Sequence, residues 1–264
     1  MILEKELFCL GHEANFDAGT NQIRFQNQAL RIYKDARTGF DLCRSDRPAP
    51  WCLVTSRGVL WIHHRSVHLE IPVLDFQKVS AHMEITYAAP FRFVMENLFD
   101  LNHVPGTHSK SLAADSSRLR NFQTSGDICS FEFTTYLDAG GNGLPIKRTR
   151  PVMIRFPGFF AADSQGPVAE RDLPQWIKND LPGRTYISIH PVTDESTAMV
   201  IFTQTGVPAW VFDLLRTLRP QVGQDIIQED RNILTNLNGD YTRKIRLSAD
   251  RPVDFARALY AERV

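Results

Sequence analysis

Apolar and polar positions along the first part of the chain come in short pieces. Leu7-Phe8-Cys9, Ala29-Leu30-Arg31-Ile32-Tyr33, Trp51-Cys52-Leu53-Val54 and Val59-Leu60-Trp61-Ile62 are separated by Asp17-Ala18-Gly19, Thr38-Gly39, Arg47-Pro48-Ala49-Pro50 and Arg57-Gly58. Brief apolar runs at close spacing, punctuated by glycine and proline, predict small antiparallel strands. From Val79 onward the pattern changes. Ala89–Phe99 has apolar residues at mixed three- and four-residue spacing with Pro90 near its start, which predicts an amphipathic helix. Cys129–Thr134 and Val152–Phe156 alternate with period two, and Tyr186–Ile189 and Met199–Phe202 are apolar runs flanked by turn residues, all four reading as strands. The stretches from Pro208 to Asn236 and from Arg251 to Ala261 predict helices. Antiparallel strands with helices at their edge make an α+β layer architecture. The expectation is a curved antiparallel sheet around a long C-terminal helix, enclosing an apolar pocket, preceded by a small β segment. That divides the chain into residues 1–72 and 73–264.

Composition narrows the partners. The 264 residues carry 30 Lys+Arg and 30 Asp+Glu, a formal net charge of zero, and 43% are hydrophobic. This is globular composition, and it excludes disordered and fibrous classes. Zero net charge argues against nucleic acid, which attracts a basic stripe. No apolar run approaches the roughly 18–20 residues of a membrane span, and the first residues lack the pattern of a secretory signal. Cys9, Cys43, Cys52 and Cys129 are scattered and outline no disulfide framework. A cytoplasmic protein with no nucleic-acid or membrane partner is expected.

The chemistry concentrates after the first helix. Asn97, Asp100 and His103 are spaced three apart and share one drifting helix face. His103 and His108 are five apart, about 140° of rotation on an unbroken α-helix, too far to converge on one ion. Pro105-Gly106 lies between them and ends or distorts the helix, so that His108 can swing back. Two imidazoles brought together in this way suit a divalent first-row metal. Asp100, one turn before His103, is placed to hold that ring's free N–H and fix its tautomer. On residue type alone, two histidines near a helix end read equally as cap or surface groups. His63, His64, His68, His82 and His190 read as surface or core residues, and Asp230, between Glu229 and Arg231, reads as a solvated acid.

The run Asn97-x2-Asp100-x2-His103-x4-His108 resembles the iron-binding signature of Rieske non-heme iron oxygenase catalytic subunits, in the branch that holds vanillate O-demethylase, dicamba monooxygenase and pheophorbide a oxygenase. Ile189–Thr197, Gln228–Leu234 and Ile245–Arg257 resemble later segments of the same branch. The resemblance implies a helix-grip, START-like sheet and a mononuclear Fe(2+) held by two imidazoles and one carboxylate, with positions left open for oxygen. Carried over, His103, His108 and Asp230 are the metal ligands, with Asp225, about a helical turn earlier, as the alternative third. Asn97 and Asp100 become catalytic-site residues, Asp100 bridging an iron ligand and the electron path from a neighbouring subunit. The implied reaction is monooxygenation or demethylation of an aromatic or aryl-ether substrate by O2. A reductase or ferredoxin supplies electrons and the assembly is a homotrimer.

The family also carries a [2Fe–2S] cluster, with two cysteines on one iron and two histidines on the other. Cys9-Leu10-Gly11-His12, followed by Phe16-Asp17-Ala18-Gly19, resembles the second half of that binding pattern, and Val59–Ile62 the end of the cluster domain. No Cys-x-His occurs in the chain. Cys9 and His12 are therefore expected to be half of a cluster site in a partial Rieske-like segment. Two rival readings follow: a non-catalytic module binding a hydrophobic ligand beside a vestigial metal site, and an inactive truncated oxygenase. A metal hydrolase with the same ligands lacks a dedicated general base. Candidate pocket residues are Phe156, Phe159, Ile189, Phe202 and Trp210, whose alternative is plain core.

Overall fold

The computed structural model describes residues 6–13, 16–35, 39–43, 50–56, 58–65, 81–101, 103, 107, 114–138, 145–164, 183–205, 221–235 and 250–263. Six strands come first: β1 (Leu7–His12), β2 (Gly19–Phe25), β3 (Gln28–Asp35), β4 (Gly39–Cys43), β5 (Trp51–Ser56) and β6 (Val59–His64). They form two three-stranded antiparallel sheets, β1-β6-β5 and β2-β3-β4. Next are β7 (Ala81–Tyr87), helix α1 (Phe91–Phe99), β8 (Ala114–Ser125), β9 (Ile128–Asp138), β10 (Pro145–Arg155), β11 (Phe159–Ser164), β12 (Gly183–Thr193) and β13 (Ser196–Thr205). These seven strands make one antiparallel sheet in the order β7-β13-β12-β11-β10-β9-β8. Helices α2 (Gln221–Thr235) and α3 (Arg251–Arg263) follow. The architecture is the expected α+β class.

Period-two patterning explains how the small sheets are held. In β1, Phe8 and Leu10 enter the main apolar core while Leu7 and Cys9 face a second cluster. Strand β6 divides in the same way, Leu60 and Ile62 on one side and Val59 and Trp61 on the other. The β1-β6-β5 sheet is thus buried on both faces, and its second face packs on Phe159, Tyr186, Val200 and Phe202 of the large sheet. A segment too small to hold a core alone shares that of the large sheet. Phe8 meets Phe25 edge-on at 5.3 Å and Phe91 of α1 at 5.9 Å, so both small sheets and the helix join through aromatic contacts.

Helix α1 begins at Pro90, whose fixed φ of −55° suits a helix entry and whose missing N–H costs nothing there. Its apolar stripe, Phe91, Val94, Met95, Leu98 and Phe99, is buried. On its polar side Glu96 takes Arg92 at 2.9 Å and Arg257 from α3. Thr197 Oγ1 donates to the Ala89 carbonyl at 3.0 Å, fixing the helix start to β13. The chain's two ends meet where Arg263 of α3 donates to the buried Glu6 carboxylate.

Several expectations meet limits. The helix read over 208–236 is described only as α2, and Trp210 lies outside the described residues. Phe156, Phe159, Ile189 and Phe202 are core: each is at most 4% exposed, Phe159 against Trp61 and Phe202 in the same cluster. Among the described residues no helix is long and apolar enough to cross a membrane.

Candidate metal centre

The site forms where α1 stops. Asp100 leaves the helix with φ −82° and ψ 91°, while its N–H still reaches the carbonyls of Glu96 at 2.9 Å and Asn97 at 3.2 Å. That extended residue turns the chain and brings His103 back under the helix end, its N–H on the Asp100 carbonyl at 3.3 Å. Leu101, 4% exposed, anchors the turn in the core.

Helix α2 supplies the opposing group. His103 Nε2 lies 3.8 Å from Asp230 Oδ1, both side chains mostly shielded, at 16% and 11% exposed. Asn97 Nδ2 donates to the same Asp230 oxygen at 3.3 Å, across 133 positions of sequence. His103 Nδ1 sits against the Asp100 main-chain carbonyl, which accepts a hydrogen bond, so this nitrogen carries a proton and Nε2 is the ring nitrogen that faces Asp230. The spacing assigned that ring contact to the Asp100 carboxylate; the structure gives it to the carbonyl. The reason is geometric: three residues back along a turn, a main-chain oxygen already points forward. Tyr87 of β7 is the neighbour that sequence reasoning missed. It is 2% exposed, and burial together with the Asp230 charge pushes its phenol well above the usual range, so it stays protonated. Its hydroxyl approaches Met199 Sδ at 3.9 Å. Strand alternation places Tyr87 inward, but no local signal ties it to Asp230.

His108 lies outside the described residues, and so does the side chain of Asp225. Among the described residues no three His, Cys, Asp or Glu side chains converge as a metal cage. The donor set that is described still fits a ferrous ion: a shielded carboxylate oriented by an amide, and an imidazole with its tautomer set by a carbonyl.

The residues around Cys9 do not fit an iron–sulfur cluster. Cys9 is 0% exposed, packed with Trp61, Phe159 and Tyr186. Burial pushes its thiol up to about 12, although Ser188 hydrogen-bonds it. With no exposed surface, its sulfur has no open space beside it for an iron ion. The β1–β6 register slips between Cys9 and Gly11, and His12 is paired with Val59 through the backbone, its side chain outside the described set. Cys52 and Cys129 are free thiols as well, Cys129 buried.

No protein-family model matches the chain, and no curated protein matches it by sequence. Solved structures do. Dicamba monooxygenase bound to 3,6-dichlorosalicylic acid superposes with a TM-score of 0.75 at 10% identity, over 99% of this chain and 97% of that one. This chain has the dicamba monooxygenase fold. The same enzyme with non-heme iron and dicamba matches with a TM-score of 0.66 at 11% identity, over 100% and 99%. An NdmA QL mutant from Pseudomonas putida CBB5, with caffeine, matches at 0.66 and 12%, over 98% and 90%. At such identities the likeness is one of architecture.

Proposed function

We propose that this chain is a Rieske-type non-heme iron oxygenase component that inserts one oxygen atom of O2 into an aromatic or aryl-ether substrate, with demethylation as a variant. His103, His108 and Asp230 would hold a mononuclear Fe(2+), and Asp225 is the alternative to Asp230. The observation that carries this reading is the meeting of His103 Nε2 with Asp230 Oδ1, 3.8 Å apart at the end of α1, inside a fold shared with dicamba monooxygenase, one structure of which holds non-heme iron. When bound, iron ligated on one face keeps coordination positions open for O2.

The chain's own side chains prepare the site. Asn97 holds the Asp230 carboxylate in place. The Asp100 carbonyl fixes the His103 tautomer. Tyr87, kept neutral, adds no second negative charge beside Asp230. Asp100, at the helix end, would face the electron path from a neighbouring copy in a homotrimer. Because the Cys9 region does not fit a cluster, the two electrons the reaction consumes would come from a partner protein of the reductase or ferredoxin kind. The cluster-like segment, residues 1–72, would then support residues 73–264 structurally. We assign the protein to the cytoplasm.

Anaerobic loading with Fe(2+) and metal analysis test the proposal, followed by turnover of an aryl methyl ether with 18O2 and a supplied reductase and ferredoxin. One iron per chain, lost in His103→Ala, and labelled product support it. No iron uptake together with retained binding of an apolar ligand would sink it in favour of a binding module.

A further inference from the structure

We infer that Arg257 is a positioning residue for the candidate metal centre, acting through Glu96 on helix α1, an inference that rests on reading His103 and Asp230 as metal ligands. Two neighbouring residues of α1 hold two different helices. Glu96 takes the guanidinium of Arg257 from α3, across 161 positions of sequence. Asn97 donates to the Asp230 carboxylate of α2 at 3.3 Å. Consecutive side chains on an α-helix point about 100° apart, so one residue of α1 is turned to each partner. The last turn of α1 is thereby shared between α2 and α3.

The Glu96–Arg257 pair is built to hold. Its side chains are 11% and 23% exposed, and a charge-assisted hydrogen bond shielded from water is stronger and less screened than one at the surface. The other partner of Glu96, Arg92, is 54% exposed and lies one turn earlier on the same helix, at 2.9 Å. A pair within one helix steadies the carboxylate but ties α1 to nothing else. Arg257 supplies the tie, and α3 carries it on a fixed frame. Val253 and Ala256 of α3 are buried, and Arg263 at its far end donates to the buried Glu6 carboxylate.

The site feels this tie because its own contact has little slack. At 3.3 Å the Asn97–Asp230 hydrogen bond is already past the usual N–H···O range of roughly 2.7–3.2 Å, so a small displacement of α1 breaks it. The start of α1 is fixed to β13 by Thr197 Oγ1 on the Ala89 carbonyl. Of its last four residues, Leu98 and Phe99 enter the core, leaving Glu96 and Asn97 as the polar ties. Apolar burial is non-directional and does not fix rotation about the helix axis. Without Arg257, Glu96 turns to Arg92 alone, the end of α1 is free to rotate, and Asn97 draws away from Asp230.

Arg257→Met keeps the aliphatic stem and removes the charge. Anaerobic titration of the full chain with Co(2+), followed by its visible absorption, should give an affinity about fivefold below the parent, less than the roughly 10–100-fold expected of a group that touches a ligand. Arg257→Lys should recover most of it. In an Asn97→Ala background Arg257→Met should add nothing, because its effect passes through Asn97. Without metal, the Asn97 side-chain amide signal in 15N spectra, assigned with Asn97→Ala, should move in Arg257→Met and return in Arg257→Lys. Glu96→Gln removes the same pair from the other side and serves should Arg257→Met not fold. Arg263→Met, which breaks the other ion pair of α3, should lower the melting temperature and leave both readouts as in the parent. Parent affinity with an unmoved Asn97 signal in Arg257→Met and Glu96→Gln would overturn the positioning role, as would equal changes in Arg263→Met. A parent that takes up no Co(2+) would instead overturn the metal reading itself.

Discussion

His103 and His190 are the same residue in opposite settings. His103 lies on a turn after a helix, with one ring nitrogen tied to a carbonyl and the other 3.8 Å from a carboxylate. His190 lies mid-strand in β12, 5% exposed, with Nδ1 unpartnered, Phe25 at 6.2 Å and a hydrogen bond to the Cys9 main chain. Burial drives its pKa down to about 4. Cys9 beside it is likewise pushed out of reach of ionisation. Two ligand-type residues meet in each region, but His103 and Asp230 keep some exposure and face each other, whereas Cys9 and His190 are enclosed in the core. Residue type nominates a ligand; desolvation decides whether it can act as one.

Four experiments break or sharpen that contrast. The largest effect should come from His103→Ala and Asp230→Ala, each reducing iron to under about a tenth of parent by metal analysis, since either would remove a proposed ligand. Retention of iron in both would erase the distinction. Next is acid stability. The folded protein keeps His190 neutral down to about pH 4, while the unfolded chain protonates it near 6.5. Between these values the unfolded state binds more protons, so stability rises with pH and is lost on acidification. The contribution is on the order of 3 kcal/mol. His190→Gln should flatten the acid limb of the denaturation midpoint between pH 6.5 and 4; an unchanged limb contradicts the burial account.

Asn97→Ala should weaken iron binding by about 10–100-fold with the melting temperature little changed, because it frees the Asp230 carboxylate rather than deleting it. A matching loss of stability would mark Asn97 as a packing residue only. The smallest effect belongs to Cys9→Ala, which should cost about 1 kcal/mol in denaturant unfolding, as the loss of a small buried group does, and leave bound iron unchanged. A visible iron–sulfur absorption in the parent that vanishes in Cys9→Ala would reverse the reading of that region.

Much of the fold was legible because it rests on local periodicity. Pro90 and the apolar stripe of Ala89–Phe99 announced α1, period-two runs announced β9 and β10, and apolar runs flanked by turn residues announced β12 and β13, where consecutive residues such as Met199 and Val200 are buried. The short N-terminal runs announced strands, though not their arrangement: the burial of β1 and β6 on both faces depends on which surfaces the large sheet offers. In the candidate site the spacing singled out Asn97, Asp100 and His103, but α1 ends at Phe99, so Asp100 and His103 lie beyond the helix rather than on one of its faces, and the breaker Pro105-Gly106 lies outside the described residues. The carbonyl contact to His103 was not legible, since spacing counts side chains and overlooks the backbone between them. Tyr87 was missed for the opposite reason. Its tie to Asp230 spans distant parts of the chain, and no periodicity records that.

By itself the sequence determined which segments become helix and strand, and which few residues are candidates for metal-binding chemistry, because both follow from side-chain type and near-neighbour spacing. Only the tertiary structure decided which of those residues meet. Asn97 and His103 find Asp230 through the packing of α1 and α2, and Cys9 becomes core through the packing of β1 on the large sheet. Solvent access and long-range proximity are properties of the folded surface, and they determine whether an imidazole, a carboxylate or a thiol can hold charge.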